Sequence, residues 1–360
     1  MTRRTPYSGL PDRQFWSKDP GITVPEDFDP VTAVPFTISN TDRVVTAGSC
    51  FAQHLAKGLE LAGFNHFVTE AAHPMFSARL AARYNYGAFS ARYGNVYTAR
   101  QFLQLLHRAY GEFDPQAVFW PKGAQGRVVD PFRPQIQPEG FVSLDELLAD
   151  RVQHFAAIRY AVEQADVLVF TLGLTEAWED SRDGAVFPLA PGVAGGVYVP
   201  ELVRFRNFDL DETKADLLAA LAFVRARNPK LRLMLTVSPV PLNATYEDQH
   251  VFVSTAYSKA VLRCAAEAAA RALPQCAYFP SYEIITAPQI RGRYYGPDCR
   301  EVLPAGVAHV MKTFFRHFAG EGEAPVNSER PARLIAGEIH RAEMQRVIDV
   351  LCDEEAIKNT

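Results

Sequence analysis

One stretch constrains the fold of this chain more than any other: DRVVTAGSCFAQHLAKGL, residues 42–59. Val44-Val45-Thr46-Ala47 is apolar and β-prone, Gly48-Ser49-Cys50 is a turn, and an amphipathic helical pattern follows from Phe51. Strand, tight turn and helix in that order place a side chain at the carboxyl edge of a parallel sheet. Gly48 permits a reversal that a Cβ would obstruct. Cys50 falls in the first helical turn, where unbonded N–H groups and the helix dipole favour an anion, hence a thiolate. A buried structural cysteine beside a capping Ser49 fits the same local pattern, because cysteine is among the most often buried residues.

The rest of the chain repeats the alternation. Strands are expected over 43–47, 64–69, 167–172, 231–237 and 276–279, and helices over 51–62, 98–108, 143–164, 211–227, 254–273 and 305–318. Ala52, Leu55, Leu59 and Leu61 mark the apolar face of the first helix, which Gly63 ends. Thr98 and Ser143 are N-cap residues for later ones. VLVFTL at 167–172 is apolar throughout, as a central parallel strand requires. Five such strands separated by helices specify an α/β fold with a doubly wound parallel sheet. Its site is expected at the carboxyl ends of the strands, where Cys50, Thr175 and Ser238 would meet.

Two insertions, 110–142 and 178–208, are expected to be irregular, the first broken by prolines and the second by PGVAGG. Residues 1–40, rich in proline with scattered aromatics such as Tyr7, Trp16, Phe28 and Phe36, read as an extended arm whose rings sit in surface grooves. The α/β domain spans 41–320. The tail, 321–360, carries one amphipathic helix over 331–351 that would pack on the domain or on a second subunit.

Composition narrows the partners. Of 360 residues 48% are hydrophobic and 22% charged, the balance of a globular chain. Net charge is −4 and no basic run forms a phosphate-binding stripe, so no nucleic acid is expected. No apolar run approaches ~20 residues and the N-terminus lacks a signal-peptide core, so neither membrane association nor export is expected, and the expected location is cytoplasmic. Five cysteines without CxxC spacing argue against a disulfide framework and a zinc cluster, and no cofactor is expected.

GSCFA at 48–52 also spells a family signature, and further segments fit in order: HPMFS at 73–77, FSARYGNVYT at 89–98, TLGLTEAW at 171–178, TVSPVPL at 236–242 and FPSYEI at 279–284. On these segments the sequence resembles the GSCFA family, a branch of the SGNH (GDSL-type) hydrolase superfamily. The likeness runs from about Asp42 to about Phe318. It implies a flavodoxin-like five-stranded sheet of order 2-1-3-4-5 and four site blocks. In the first, Cys50 falls at the nucleophile and Ser49 at the aspartate of Gly-Asp-Ser; Ser49 is the rival nucleophile. In the second, Gly94 offers an oxyanion N–H. In the third, Gly173-Leu174-Thr175-Glu176 puts Thr175 where an asparagine would donate and Glu176 beside it as an orienting or acid/base group. Trp178 is a candidate wall for an acyl pocket.

The fourth block, Asp-x-x-His, becomes Asp298-Cys299-Arg300-Glu301, so Glu301 stands where the base belongs and the standard triad is broken. Replacement bases are His250, oriented by Asp248 or Asp298, then His73, or Glu301 itself if burial raises its pKa. His309 falls on the last helix as a structural residue. Lys259, Arg263 and Arg133 are candidate anion ligands, although lone cations are ordinarily solvated. The implied activity is acyl-ester hydrolysis or acyl transfer through Cys50 or Ser49, on a small-molecule or O-acylated carbohydrate substrate. The alternative is a non-catalytic binding or accessory protein on the same scaffold.

Overall fold

The computed structural model describes residues 5–320 and 353–359. In chain order the elements are β1 (Val44–Gly48), α1 (Phe51–Leu61), α2 (Ala78–Arg83), α3 (Ala99–Ala109), β2 (Trp120–Lys122), β3 (Arg127–Val129), α4 (Leu144–Gln164), β4 (Val167–Leu172), β5 (Glu176–Asp180), β6 (Val186–Phe187), β7 (Val203–Asn207), α5 (Leu210–Arg227), β8 (Arg232–Val237), α6 (Val251–Ala272), β9 (Cys276–Tyr278), α7 (Ser281–Thr286) and α8 (Pro304–Phe318). The expected helices form within a few residues of their sequence limits. Thr98 and Ser143 cap α3 and α4 by accepting the Gln101 and Glu146 N–H groups.

The central sheet is parallel and has four strands in the order β1-β4-β8-β9. Every residue of β1 and β4 is buried, which explains why neither strand carries a charged side chain. Alternate side chains feed two cores. Val45, Ala47, Leu168 and Phe170 meet the α3–α6 side, whereas Val44, Val167, Val169 and Met234 meet α1, α7 and α8. In α1, Ala52, Leu55 and Leu59 are buried as expected, but Leu61 is 61% exposed.

The strand expected over 64–69 is reduced to one parallel bridge, His66 to Val44, beside β1. Val44 N–H donates to the Asn65 carbonyl at 2.9 Å and Phe67 N–H to the Val44 carbonyl at 2.8 Å. Two residues on, Thr69 N–H donates instead to the Ser90 carbonyl, so the chain leaves the sheet edge. The two insertions hold more regular structure than their proline and glycine content suggests. The first contains the antiparallel β2–β3 ribbon and the second the antiparallel sheet β6-β5-β7. PGVAGG remains in turns. Its Gly195 and Gly196 lie against Val129 and Trp120, where added Cβ atoms would come within 2.7 and 2.9 Å.

The N-terminal arm is anchored by Phe28, Phe36 and Ile38, all buried, whereas Tyr7 and Trp16 are 68% and 69% exposed. His309 of α8 is buried between the Tyr294 hydroxyl and the Phe28 carbonyl, the structural role expected of it. The expected helix over 331–351 lies outside the described residues.

Candidate active site

β1 and β4 approach so closely at their carboxyl ends that only glycine fits. Gly48 has φ +131, and a Cβ there would lie 2.2 Å from the Thr171 carbonyl oxygen. Ser49 N–H continues the ladder by donating to that same carbonyl at 3.0 Å. Cys50 then enters the helical region (φ −51, ψ −31) as the N-cap of α1, buried at 5% exposure. Ser49 is not the expected side-chain cap. Its Oγ is buried and has no hydrogen-bond partner, because the backbone has already begun the helix at Cys50.

Two further loops close on this turn. Residues 89–97 are braced from behind by a buried ionic cluster. Arg92 pairs with Asp150 at 2.9 Å and donates its backbone N–H to Glu70 at 2.7 Å, while Arg133 reaches Asp150 at 2.5 Å and Asp130 at 3.1 Å. Arg133 is therefore a structural brace and not a free anion ligand. The Tyr93 hydroxyl donates to the Thr46 carbonyl, and Val96 N–H donates to the Gly48 carbonyl at 2.8 Å. Gly94, at φ +68, sits between these two anchors. Beyond it, the Tyr97 carbonyl accepts both the Gly173 and Leu174 N–H groups at 3.0 Å. Gly173 makes the junction possible, since a Cβ there would lie 2.9 Å from Ser49 Cβ and 3.1 Å from the Tyr97 ring.

Lys259 of α6 completes the edge. It is 1% exposed, not solvated, and its ammonium donates to the Gly173 carbonyl at 2.7 Å. Thr175 is buried, but its single hydroxyl hydrogen is donated to Asn207 Oδ1 at 2.7 Å, so it is not available as an oxyanion donor in this arrangement. Glu176 accepts from the Thr245 hydroxyl at 2.6 Å and the Tyr246 N–H at 3.3 Å. Burial raises its carboxyl above the usual range, and Glu247 and Glu354 add to the rise against those two hydrogen bonds. Glu176, Leu174, Trp178 and Tyr246 line a cleft of roughly 200 Å³ at this edge.

Residues 43–314 match the sequence model of the GSCFA family. The chain belongs to the GSCFA family. The matched span begins one residue before β1 and ends within α8, so it contains the whole strand edge just described. No curated protein matches the chain.

The structure does not assemble all the residues that the sequence nominates. His250 is an exposed N-cap of α6 whose Nδ1 accepts the Phe252 N–H at 3.1 Å. Asp298 and Glu301 lie in an exposed turn, where Asp298 Oδ1 accepts the Arg300 and Glu301 N–H groups at 3.0 Å. His73 is exposed as well. Arg263 is tied to Glu283 and Glu267 at 2.8 Å. His73, His250, Asp298 and Arg263 each have a local partner, and His73, His250, Asp298 and Glu301 are exposed whereas Cys50 is buried. Among the described residues no group of three His, Cys, Asp or Glu side chains is placed to hold a metal, and no helix is long and apolar enough to cross a membrane.

Sequence reasoning missed His54. It lies four residues after Cys50, on the same face of α1, and helical side chains lean back toward the N-terminus. The ring is buried against Phe51 and its Nδ1 has no hydrogen-bond partner. Burial, with a smaller contribution from Lys57, lowers its pKa to about 4 from 6.5, so folded His54 is a neutral base at physiological pH. Between those values the unfolded chain binds a proton that the folded one does not, so His54 weakens stability as pH falls from 6.5 toward 4, by up to ~3 kcal/mol. His54→Phe is expected to flatten that part of the acid limb in urea unfolding between pH 7 and pH 4. An unchanged limb would mean that the imidazole reaches solvent.

Proposed function

We propose that this GSCFA protein is a cysteine-dependent acyl hydrolase or acyltransferase of SGNH type. The observation that carries the reading is Cys50 at the start of α1, buried on a turn formed at Gly48 and packed by residues 94–97 and 171–175. A thiolate there is favoured by the helix N-terminus, and backbone N–H groups of the turn are the natural donors to a developing oxyanion. The single bridge at His66, lying outside β1, is taken as a vestige of the second strand in a 2-1-3-4-5 sheet.

In this mechanism the Cys50 sulfur attacks the carbonyl carbon of an ester or thioester. The S–C bond forms, the bond to the leaving group breaks, and the thiol proton passes to the leaving oxygen or sulfur. His54 is the proposed carrier of that proton, replacing the base that Glu301 does not supply. Water or a hydroxyl then attacks the thioester, releasing Cys50 and returning the proton. Gly94 N–H and the neighbouring Asn95 amide, buried beside the turn, are the proposed oxyanion donors; Thr175 instead holds Asn207. Glu176, with its raised pKa, is placed as an acid toward the acceptor. O-acylated carbohydrate is the proposed substrate class, by analogy with the superfamily.

A second reading, a binding or accessory protein, is favoured by the exposed Asp298–Glu301 turn and the exposed His250. Rapid mixing with p-nitrophenyl acetate and butyrate separates the two. Acyl transfer predicts a burst of nitrophenol equal to the protein concentration, whereas release no faster than with an equal concentration of free cysteine would favour the accessory role.

A further inference from the structure

Residues 353–359 return to the carboxyl edge of the sheet, where Glu354 is buried at 7% exposure. Arg300 Nη2 donates to Glu354 Oε2 at 2.6 Å. Arg300 is itself held by the Pro241 carbonyl at 3.2 Å through Nε. Asn243 Nδ2 donates to the Glu354 backbone carbonyl at 2.8 Å. Lys259, buried and bonded to the Gly173 carbonyl that adjoins Ser49, also interacts electrostatically with Glu354. Glu354 and Ile357 line the same cleft as Glu176, Trp178 and Tyr246.

Burying a lysine ammonium and most of a guanidinium is costly unless an anion compensates them. In this structure the chain's own carboxylate does so, and it belongs to a segment outside the family-matched span. We propose that Arg300 and Lys259 form a carboxylate-binding subsite of the acyl-transfer site, with Asn243 holding the backbone of the segment that fills it, and that Glu354 occupies it as an internal mimic which a carboxylate-bearing substrate displaces. The inference rests on the acyl-transfer reading for its function but not for its test. A carboxylate is favoured over a phosphate because the occupant is one, held by a single charge-assisted bond from Arg300 with the Lys259 ammonium adding its field. The substrate class is therefore an acyl ester carrying a free carboxylate, such as an acidic sugar or the half-ester of a dicarboxylic acid.

Hydrogen exchange of residues 353–359 in the full chain tests this, with sodium propionate as the probe for the glutamate side chain and sodium chloride and inorganic phosphate at matched ionic strength. Propionate is expected to speed exchange of the segment in a saturable way. In Glu354→Gln, which loses a charge-assisted bond, the half-saturating propionate concentration is expected to fall roughly tenfold. In Arg300→Gln, a change at a half-buried position, the propionate response is expected to vanish. No propionate response in the wild-type chain, or the same response in Arg300→Gln, overturns the subsite. A phosphate response as large as the propionate response overturns the carboxylate assignment. The readout does not involve the thiol, so failure here leaves Cys50 chemistry standing. A protein that binds propionate but shows no nitrophenol burst fails the other way.

Discussion

Replacing Cys50 with alanine is expected to lower ester turnover by roughly a thousandfold or more, to the background left by binding alone. Ser49→Ala is expected to keep most of it. The asymmetry follows from the turn. Both side chains are buried, but Cys50 caps α1 and gains the helix-end field, whereas Ser49 Oγ has no hydrogen-bond partner, hence no base to activate it. Steady-state hydrolysis of p-nitrophenyl butyrate by the two variants reads the difference directly. Both replacements trim a small side chain, so circular dichroism should report folded protein in each case and tie the loss to chemistry. A Ser49→Ala variant that loses as much as Cys50→Ala would move the nucleophile by one residue.

Gly48→Ala is expected to have the largest effect on folding of any single methyl in the chain. Its Cβ would sit 2.2 Å from the Thr171 carbonyl oxygen and within 2.8 Å of two more Thr171 backbone atoms. β1 and β4 cannot separate locally without breaking the ladder they share, and φ +131 adds backbone strain. A loss exceeding about 4 kcal/mol, or failure to fold, is expected in urea titration. Gly94→Ala is the control. Its nearest neighbour, Arg133 Cβ, would be 3.8 Å away, so only the left-handed backbone is penalised, by roughly 1–2 kcal/mol. Equal losses in the two variants would show that steric contact with Thr171 is not what makes Gly48 necessary.

Much of the fold is legible because strand burial leaves a plain trace. VLVFTL can serve as little else than a central parallel strand, and the GSC turn after an apolar run announces a strand-to-helix reversal. Residues 64–69 mislead because they pair with β1 only around Val44 and their other partners are distant in sequence. His66 bonds Thr46 and Glu60, and Thr69 turns to Ser90, none of which a local pattern encodes. The insertions hide short antiparallel strands of two to five residues, below the length at which alternation can be read.

The site was legible where it is local and obscure where it is not. Gly48 and Cys50 follow from turn chemistry, and Gly94 follows from the family resemblance. Asp298 and Glu301 fall in a superfamily block and His250 is its substitute base, yet His250 and Asp298 bond within their own loops and Glu301 stands in the same exposed turn as Asp298. Lys259 reads as a solvated helix lysine until α6 is laid against Gly173. Glu354 gives no sequence signal at all, because its partners lie 54 and 111 positions away. His54 was visible as the second polar residue of the GSCFAQH helix, and the i, i+4 relation to Cys50 is the signal that would have found it.

Peptide-level mass spectrometry after brief exposure to p-nitrophenyl acetate and an acid quench tests the central claim most directly. The account predicts one acetyl group on the peptide containing residues 48–54, fragmenting to Cys50 and removed by hydroxylamine at neutral pH as a thioester is. An acetyl group on Ser49 that resists hydroxylamine, or no adduct on that peptide while free cysteine is acetylated under the same conditions, would contradict it.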